Sequence, residues 1–455
     1  MDGEIKKFIS EHGSENASTL MLRYAGKPLP FPLENAVMQI ECRRKCAKKI
    51  DFFLQNPDFE FPAGISAEQA SNQFVAQYHA FLGGEADSWL DMTAGLGIDA
   101  MTAALAKSED RPGEQTPDVT AVELDPVKAE TLKRNANALG VNNFNVICAD
   151  SIDYIRNSDI IYDVIFIDPA RREGDDKNKR VYFLEDCLPD VVSNLALIRS
   201  HARQILIKAS PILDIKKAAS QLHGISAVHI VCVKGECKEV LMVIDNKEVR
   251  KKPEIVVVDL TASGEFLPGQ KPELASGFIC NPEDLNQSGP IAIKPYAKSA
   301  MSDKSAMSDK SDKSDKSDKS DMSDMSDMSD MSEVCFLYDP NAGLHKARCG
   351  ERLCCEFEGM YQLAADTDLF ISPQYHPDFP GRLFRIKNIL DKKSIKRLKG
   401  CAYNVISRNY PIAAAEIAKR YGLKSGQDKF IVACRAGDKN EPILLECERI
   451  LNSSL

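Results

Sequence analysis

The chain of 455 residues has no apolar run of the roughly 18 residues that a membrane-spanning helix needs, so no such helix is expected. Its first residues, Met1-Asp-Gly-Glu-Ile-Lys-Lys7, lack the apolar core of an export signal, and a cytoplasmic location is expected. Its 14 cysteines should then be reduced thiols. Paired C-x-x-C spacings are missing too. Cys42 and Cys46 lie four apart, and Cys349, Cys354 and Cys355 cluster, so no metal site is expected. An overall excess of positive charge is absent, since the net charge is −9. That total hides an uneven spread. Residues 381–430 hold 13 Lys and Arg against Asp391, Glu416 and Asp428, a net of +10. What is present is a globular composition, 44% apolar and 27% charged, long enough for two or three domains.

The most informative stretch is Ser88-Trp-Leu-Asp-Met-Thr-Ala-Gly-Leu-Gly-Ile-Asp-Ala100. An apolar run ends at Asp91, Gly95 and Gly97 come next, and a helical pattern begins. This reads as strand, tight loop, helix. Glycines there let backbone approach a ligand and put N–H groups at a helix N-terminus. Alone the pattern is weak; three further strand ends downstream give it weight. Val119–Glu123 is a second strand ending in an acid, placed to accept hydrogen bonds from both hydroxyls of a ribose. Asn143–Asp150 is a third, and Asp163–Asp168 a fourth, each again ending in an acid. An open α/β sheet aims such groups into the crevice at its strand ends. A full G-x-G-x-x-G is absent, because position 100 is Ala, which argues against a nicotinamide enzyme.

Over residues 60–260 the chain resembles the class I S-adenosylmethionine-dependent methyltransferases. The resemblance rests on Asp91-x-x-x-Gly95-x-Gly97, Glu123, Asp150 and Asp168-Pro169-Ala170-Arg171. It implies a Rossmann-like α/β fold with a sheet of seven strands, an N-terminal helical region and small C-terminal α+β domains. It implies S-adenosyl-L-methionine as cofactor, held by Asp91, Thr93, Ala94, Gly95, Gly97, Glu123, Leu124, Asp150 and Ser151, with Glu123 on the ribose and Asp150 on the adenine amino group. Gln69 and Ser71, just before the first strand, are further cofactor candidates by the same resemblance. From the residues alone Gln69 belongs to a capping box with Ser66, and Ser71 to a helix surface over 66–80.

The phrases Asp378–Arg385 and Asn409–Lys424 resemble the ferredoxin-like and THUMP-like domains of a Bacteroidetes-type group of these methyltransferases. The expected layout is a helical region over 1–62, a methyltransferase domain over 63–262, a ferredoxin-like domain over 275–380 and a basic THUMP-like domain over 381–455. Residues 299–332 are largely a Ser-Asp-Lys and Ser-Asp-Met repeat with almost nothing to bury, and disorder is expected there. The +10 charge of the C-terminal module suits contact with RNA phosphates. The basic face of a helix over 34–54, with Arg43, Arg44, Lys45, Lys48 and Lys49, reads either as solvated or as RNA-facing.

The expected activity is methylation of a base in RNA, ribosomal or transfer, with Asp168 orienting or deprotonating the acceptor. Two departures bear on the acceptor. Members that methylate exocyclic amines carry an aromatic residue where this chain has Arg171, and no S-C-N-P phrase with a nucleophilic cysteine comes after the fifth strand, where Lys208-Ala-Ser-Pro211 stands. Two other readings stay open. One is an RNA-binding or assembly factor with a non-catalytic cofactor fold. The other is a methyltransferase for a protein or small molecule.

Overall fold

A computed structural model describes residues 1–107, 116–171, 184–247, 253–280, 336–437 and 439–451. The chain divides into two compact units, Met1–Ile279 and Cys280–Leu455. The repeat at 299–332, the polar loop expected within 107–118 apart from its ends, and Arg172 lie outside the described residues.

The strands of the first unit are β1 (Ser88–Asp91), β2 (Asp118–Glu123), β3 (Phe144–Cys148), β4 (Tyr162–Ile167), β5 (Ala170–Arg171), β6 (Cys187–Leu188), β7 (Ala202–Ala209), β8 (Ala227–Val233), β9 (Glu236–Asp245), β10 (Glu254–Leu260) and β11 (Leu274–Cys280). Among the described residues, strands β5 and β6 form a separate two-stranded sheet. The rest form one sheet in the order β11-β10-β8-β9-β7-β4-β1-β2-β3. Strands β1, β2, β3, β4 and β7 run parallel, and β9 is antiparallel to both β7 and β8. The expected seven strands are thus nine. Strands β10 and β11 extend the edge past β8, where β10 pairs with residues 227–233 and so satisfies the backbone groups of a strand buried on both faces.

The central strands carry unbroken apolar runs because helices cover both faces of a parallel sheet. Val164, Ile165, Phe166 and Ile167 of β4 are all buried. Strand order reverses between β1 and β4, so the crevice at the carboxyl ends of these two strands is the topological switch point. The loop after β1 is tied to both neighbours. Met92 donates its N–H to the Phe166 carbonyl at 3.0 Å, and Ala94 to that of Val122 at 3.0 Å.

The N-terminal helices include Gly3–His12, Ala17–Tyr24 and Leu33–Cys46. Cys42, Cys46, Ile50, Phe53, Phe59 and Phe61 join the same apolar core as Trp89, Phe166 and Leu206 of the sheet. Part of the basic face is engaged within the chain, while Arg44, Lys45 and Lys48 remain exposed. Arg43 donates to the carbonyls of Leu54, Asn56, Pro57 and Phe59, Arg44 to that of Glu15, and Lys49 to that of Glu68, while Lys45 pairs with Glu68. These cations fasten the helix to neighbouring stretches of the N-terminal chain. The single helix expected over 66–80 is two, Gly64–Gln69 and Gln73–Leu82. Ser66 is buried and caps nothing; Asn72 caps the second helix by accepting from the Phe74 N–H at 2.9 Å.

The described strands of the second unit are β12 (Phe336–Pro340), β13 (Tyr361–Ala364), β14 (Thr367–Ser372), β15 (Gly381–Ile389), β16 (Asn404–Ser407), β17 (Lys429–Ala436) and β18 (Glu441–Ile450), in the order β13-β14-β12-β15-β18-β17-β16. Strands from both sides of residue 380 share this sheet, because β12 pairs with β15. Only β16 and β17 are a parallel pair among the pairings described, and the helix Ala414–Tyr421 makes the crossover between them. Side chains alternate along β17. Phe430, Val432 and Cys434 enter one core cluster, and Ile431 and Ala433 the other. The expectation of reduced thiols throughout is corrected at Cys349, which is disulfide-bonded. No described helix is long and apolar enough to cross a membrane.

Gly97 makes a direct test of the loop. Its φ is +84°, and a Cβ there would lie 2.0 Å from Leu132 Cδ1, which is itself in the core. Gly97→Ala should cost roughly 2–4 kcal/mol in strain and overpacking. The measurement is the urea midpoint, which should fall with an unchanged slope. An unmoved midpoint would mean that the loop adopts another conformation.

Candidate cofactor and catalytic site

The loop after β1 brings the predicted glycines and the β2 acid together. Gly95 has φ +56° and donates its N–H to Glu123 Oε2 at 2.9 Å. The other oxygen of Glu123 accepts from the Asp125 N–H at 2.9 Å. Two backbone donors thus fix the carboxylate at the strand end while each oxygen keeps further lone-pair capacity. A Cβ on Gly95 would meet no protein atom nearer than Thr93 O at 3.9 Å, so the space beside this glycine is open. Leu124, next to the acid, is 68% exposed, an apolar side chain left uncovered at the crevice.

Asp91 is fully buried at the end of β1 and accepts from the Thr93 N–H at 2.9 Å. Burial pushes its pKa up to about 8, and the nearby Asp99, Asp168 and Glu123 act in the same direction. Ala94 is buried within the loop. Asp150 caps the helix Ser151–Arg156, with one oxygen accepting from Ile152 and Asp153 N–H at 2.8 and 3.0 Å. Ser151 is buried beneath it.

Asp168, at the end of β4, donates its backbone N–H to Thr93 Oγ1 at 2.7 Å, which joins the loop to the fourth strand. Its side chain accepts from Lys208 Nζ at 2.6 Å. Lys208 also donates to Ser71 Oγ at 3.0 Å, and Ser71 donates to Asp99 Oδ2 at 2.5 Å. Asp99 in turn holds His79 Nδ1 at 2.8 Å, and His79 Nε2 lies 2.5 Å from Glu239 Oε1. A continuous chain of polar contacts therefore runs Glu239–His79–Asp99–Ser71–Lys208–Asp168. Its inner end is closed, with His79 1% and Glu239 5% exposed in the side chain. Its outer end opens, with Lys208 15% and Asp168 39% exposed. Gln69, exposed at the last turn of its helix, takes no part in this cluster.

The protonation states follow from this packing. Burial opposes the charge on His79, but Glu239 and Asp99 outweigh it and hold the imidazolium pKa at about 9. Burial would raise Asp99, yet the His79 hydrogen bond and charge, with Lys208, bring it down to about 2. Burial would lower Lys208, but Asp168, Asp99 and Glu239 keep its ammonium well above the usual range. Lys49 is held below its usual range, first by burial and also by the charges of Lys208 and Lys238.

Of the residues singled out from sequence, the structure joins Asp91, Thr93, Gly95, Glu123, Ser71 and Asp168 in one region. Sequence reasoning does not find His79, Asp99, Lys208 and Glu239 as site residues. Three of them are lone charges within or beside an apolar run: His79 in Phe74–Leu82, Lys208 in Gln204–Ala209, Glu239 ahead of Val240–Ile244. That is the signal that marks them, since an ionised group is buried only with partners. Among the described residues no group of three His, Cys, Asp or Glu side chains is placed to hold a metal ion. A cavity lined by Gly83, Trp89, Ala103 and Pro117 lies at the opposite end of β1 and is remote from this chemistry.

A sheet whose parallel strands reverse order at β1 and β4, with β9 antiparallel to its two neighbours and a glycine loop at the reversal, has the Rossmann-like arrangement of a methyltransferase fold. A protein of Porphyromonas gingivalis W83 described as a proposed methyltransferase shares it, with a TM-score of 0.72, 21% identity and 98% of each chain covered. The methyltransferase subunit of a type I restriction-modification system from Streptococcus thermophilus overlaps more loosely, with a TM-score of 0.29, 16% identity, and 43% of this chain and 48% of that one covered. Residues 381–449 match a family model described as THUMP domain-like. No curated protein matches the chain by sequence. The chain thus has a methyltransferase fold with a THUMP-like domain at its C-terminal end.

The buried imidazolium gives a pH test. An unfolded histidine loses its proton near pH 6.5, whereas His79 keeps it to about 9. Its contribution is fully present below pH 6.5 and is lost as pH rises through 9, an effect on the order of 3 kcal/mol. Asp91, neutral in the fold up to about 8, adds to the same downward slope, so the comparison must be made against a variant. His79→Gln should cost about 3–5 kcal/mol at pH 6 by leaving two carboxylates unpaired. Its urea midpoint should then fall less between pH 6 and 9 than that of the parent. Parallel pH profiles would remove His79 as the titrating group.

Proposed function

We propose that the chain is an S-adenosylmethionine-dependent methyltransferase whose substrate is RNA. The observation that carries this reading is the grouping of Asp91, Gly95, Glu123 and Asp168 at the reversal point of the sheet. The residues suit the cofactor. Gly95 leaves open space beside the loop, Glu123 offers a fixed carboxylate for ribose hydroxyls, and Leu124 offers an uncovered apolar side chain for a purine face. Asp150 and Ser151 line the third strand end, with Thr93, Ala94 and Gly97 completing the loop. When bound, the cofactor's sulfonium supplies an activated methyl group. Asp168, the most open member of the cluster, is assigned to the acceptor.

RNA is favoured by charge. The net of +10 over residues 381–430 falls within the THUMP-like match, and Lys392, Lys393, Lys396 and Arg397 share one short helix. Such a module neutralises phosphates, and its binding should weaken steeply with salt. The acidic first unit alone gives no reason to expect a polyanion.

Calorimetric titration with S-adenosylmethionine tests the cofactor half. Glu123→Ala should weaken binding by about 1.5–3 kcal/mol, or roughly 10- to 150-fold. Part of that loss comes from the freed Gly95 N–H, so Glu123→Gln should fall between the two. The substrate half is tested by offering tritiated-methyl cofactor with total RNA, protein or metabolites. Label in RNA supports the reading. Unchanged affinity in Glu123→Ala, or label confined to protein or metabolites, would overturn the corresponding half.

A further inference from the structure

The acceptor atom is open on the proposed reading, and the Lys208–Asp168 pair bears on it. Three kinds of acceptor make different demands. A base carbon must be activated by a covalent nucleophile. Cys232 is fully buried in β8, and the thiol of Cys237 is turned onto the Glu239 carbonyl, so neither stands ready for that step. An exocyclic amine brings its own lone pair and asks chiefly for a stacking surface and carbonyl acceptors. The strand end here supplies instead an ammonium and a carboxylate 2.6 Å apart, braced from behind by a closed chain of charges. A sugar hydroxyl needs this pair. It stays protonated at neutral pH, so a base must take its proton as the new bond forms, and a cation must steady the charge that grows on oxygen.

We propose that the acceptor is a ribose 2′-hydroxyl of RNA, with Asp168 taking its proton and Lys208 holding its oxygen. This rests on the reading of the chain as an RNA methyltransferase. The hydroxyl oxygen forms a bond to the methyl carbon. The carbon–sulfur bond breaks, and its electron pair goes to sulfur, which leaves as a neutral thioether. The hydroxyl proton passes to Asp168 and from there to solvent through the open end of the cluster. No oxidant or further reactant is required. The ammonium of Lys208 has three donors, and Asp168 and Ser71 engage two of them, which leaves one for the substrate oxygen. Ser71, Asp99, His79 and Glu239 are positioning residues: they act through Lys208 and touch no substrate. The 2′-hydroxyl is also the group by which a protein distinguishes RNA from DNA.

Alkaline hydrolysis of the labelled product decides the matter with the unaltered protein. Alkali cleaves RNA through attack by the 2′-hydroxyl on the adjacent phosphate, so a 2′-O-methyl group blocks cleavage at that step. Label recovered in alkali-resistant dinucleotides is the expected result, and a DNA strand of the same sequence should take up none. Label recovered in mononucleotides would overturn the hydroxyl assignment while leaving RNA methylation standing. No label in RNA would overturn both. Lys208→Met should lower single-turnover transfer at least about a hundredfold while calorimetric cofactor affinity changes only a few-fold. Full-rate transfer by a folded Lys208→Met enzyme would remove Lys208 from the step.

Discussion

The imidazolium of His79, closed between Asp99 and Glu239, is the constraint on which the rest of the site depends. It comes from a helix that precedes β1, and its partners come from the helix after β1 and from β9. Two carboxylates and one cation in a space that excludes water are stable only together. Once they are paired, the start of β9 is fixed against the helix Gln73–Leu82, and Asp99 is free to orient Ser71 through its second oxygen. Ser71 and Asp168 then bracket Lys208. A geometry set at the closed end of the cluster is transmitted, contact by contact, to the open end at Asp168.

The same economy governs the loop after β1. Thr93 serves Asp91 with its N–H and Asp168 with its hydroxyl, so the first and fourth strands meet at one side chain. Gly95 serves Glu123, so the second strand joins as well. Three strand ends are thereby locked in register at the reversal point of the sheet. Gly97 holds the turn in a conformation that a side chain would resist, and its bare Cα lets Leu132 of the next helix pack directly over the loop.

Cations in this chain do two different kinds of work. In the helix Leu33–Cys46, Arg43 and Arg44 donate to backbone carbonyls, where they bind the N-terminal segment to itself. Those between 381 and 430 are mostly unpaired in the contacts described and lie largely on exposed helix and turn positions. Both read alike as charge in a sequence. What separates them is whether carbonyls lacking partners happen to lie within reach once the chain is folded.

Much of the site is legible in order along the chain. Asp91, Gly95, Gly97, Glu123 and Asp168 each stand where an apolar run stops, and the end of a strand is a local feature that hydrophobic patterning and glycine placement determine. The break at Asn72 is not legible, because a run of helix formers hides a cap until the chain bends. The Glu239–His79–Asp99–Lys208 cluster is hidden for a deeper reason. His79 and Glu239 are 160 residues apart, and Lys208 lies 40 from Asp168. No local pattern relates such residues; only the strand order, which lays β7 between β4 and β9, brings them into contact. Sequence by itself determined the fold class and the crevice, because burial and backbone freedom are local properties. The tertiary structure decided which charges share that crevice, because pairing depends on distance through space.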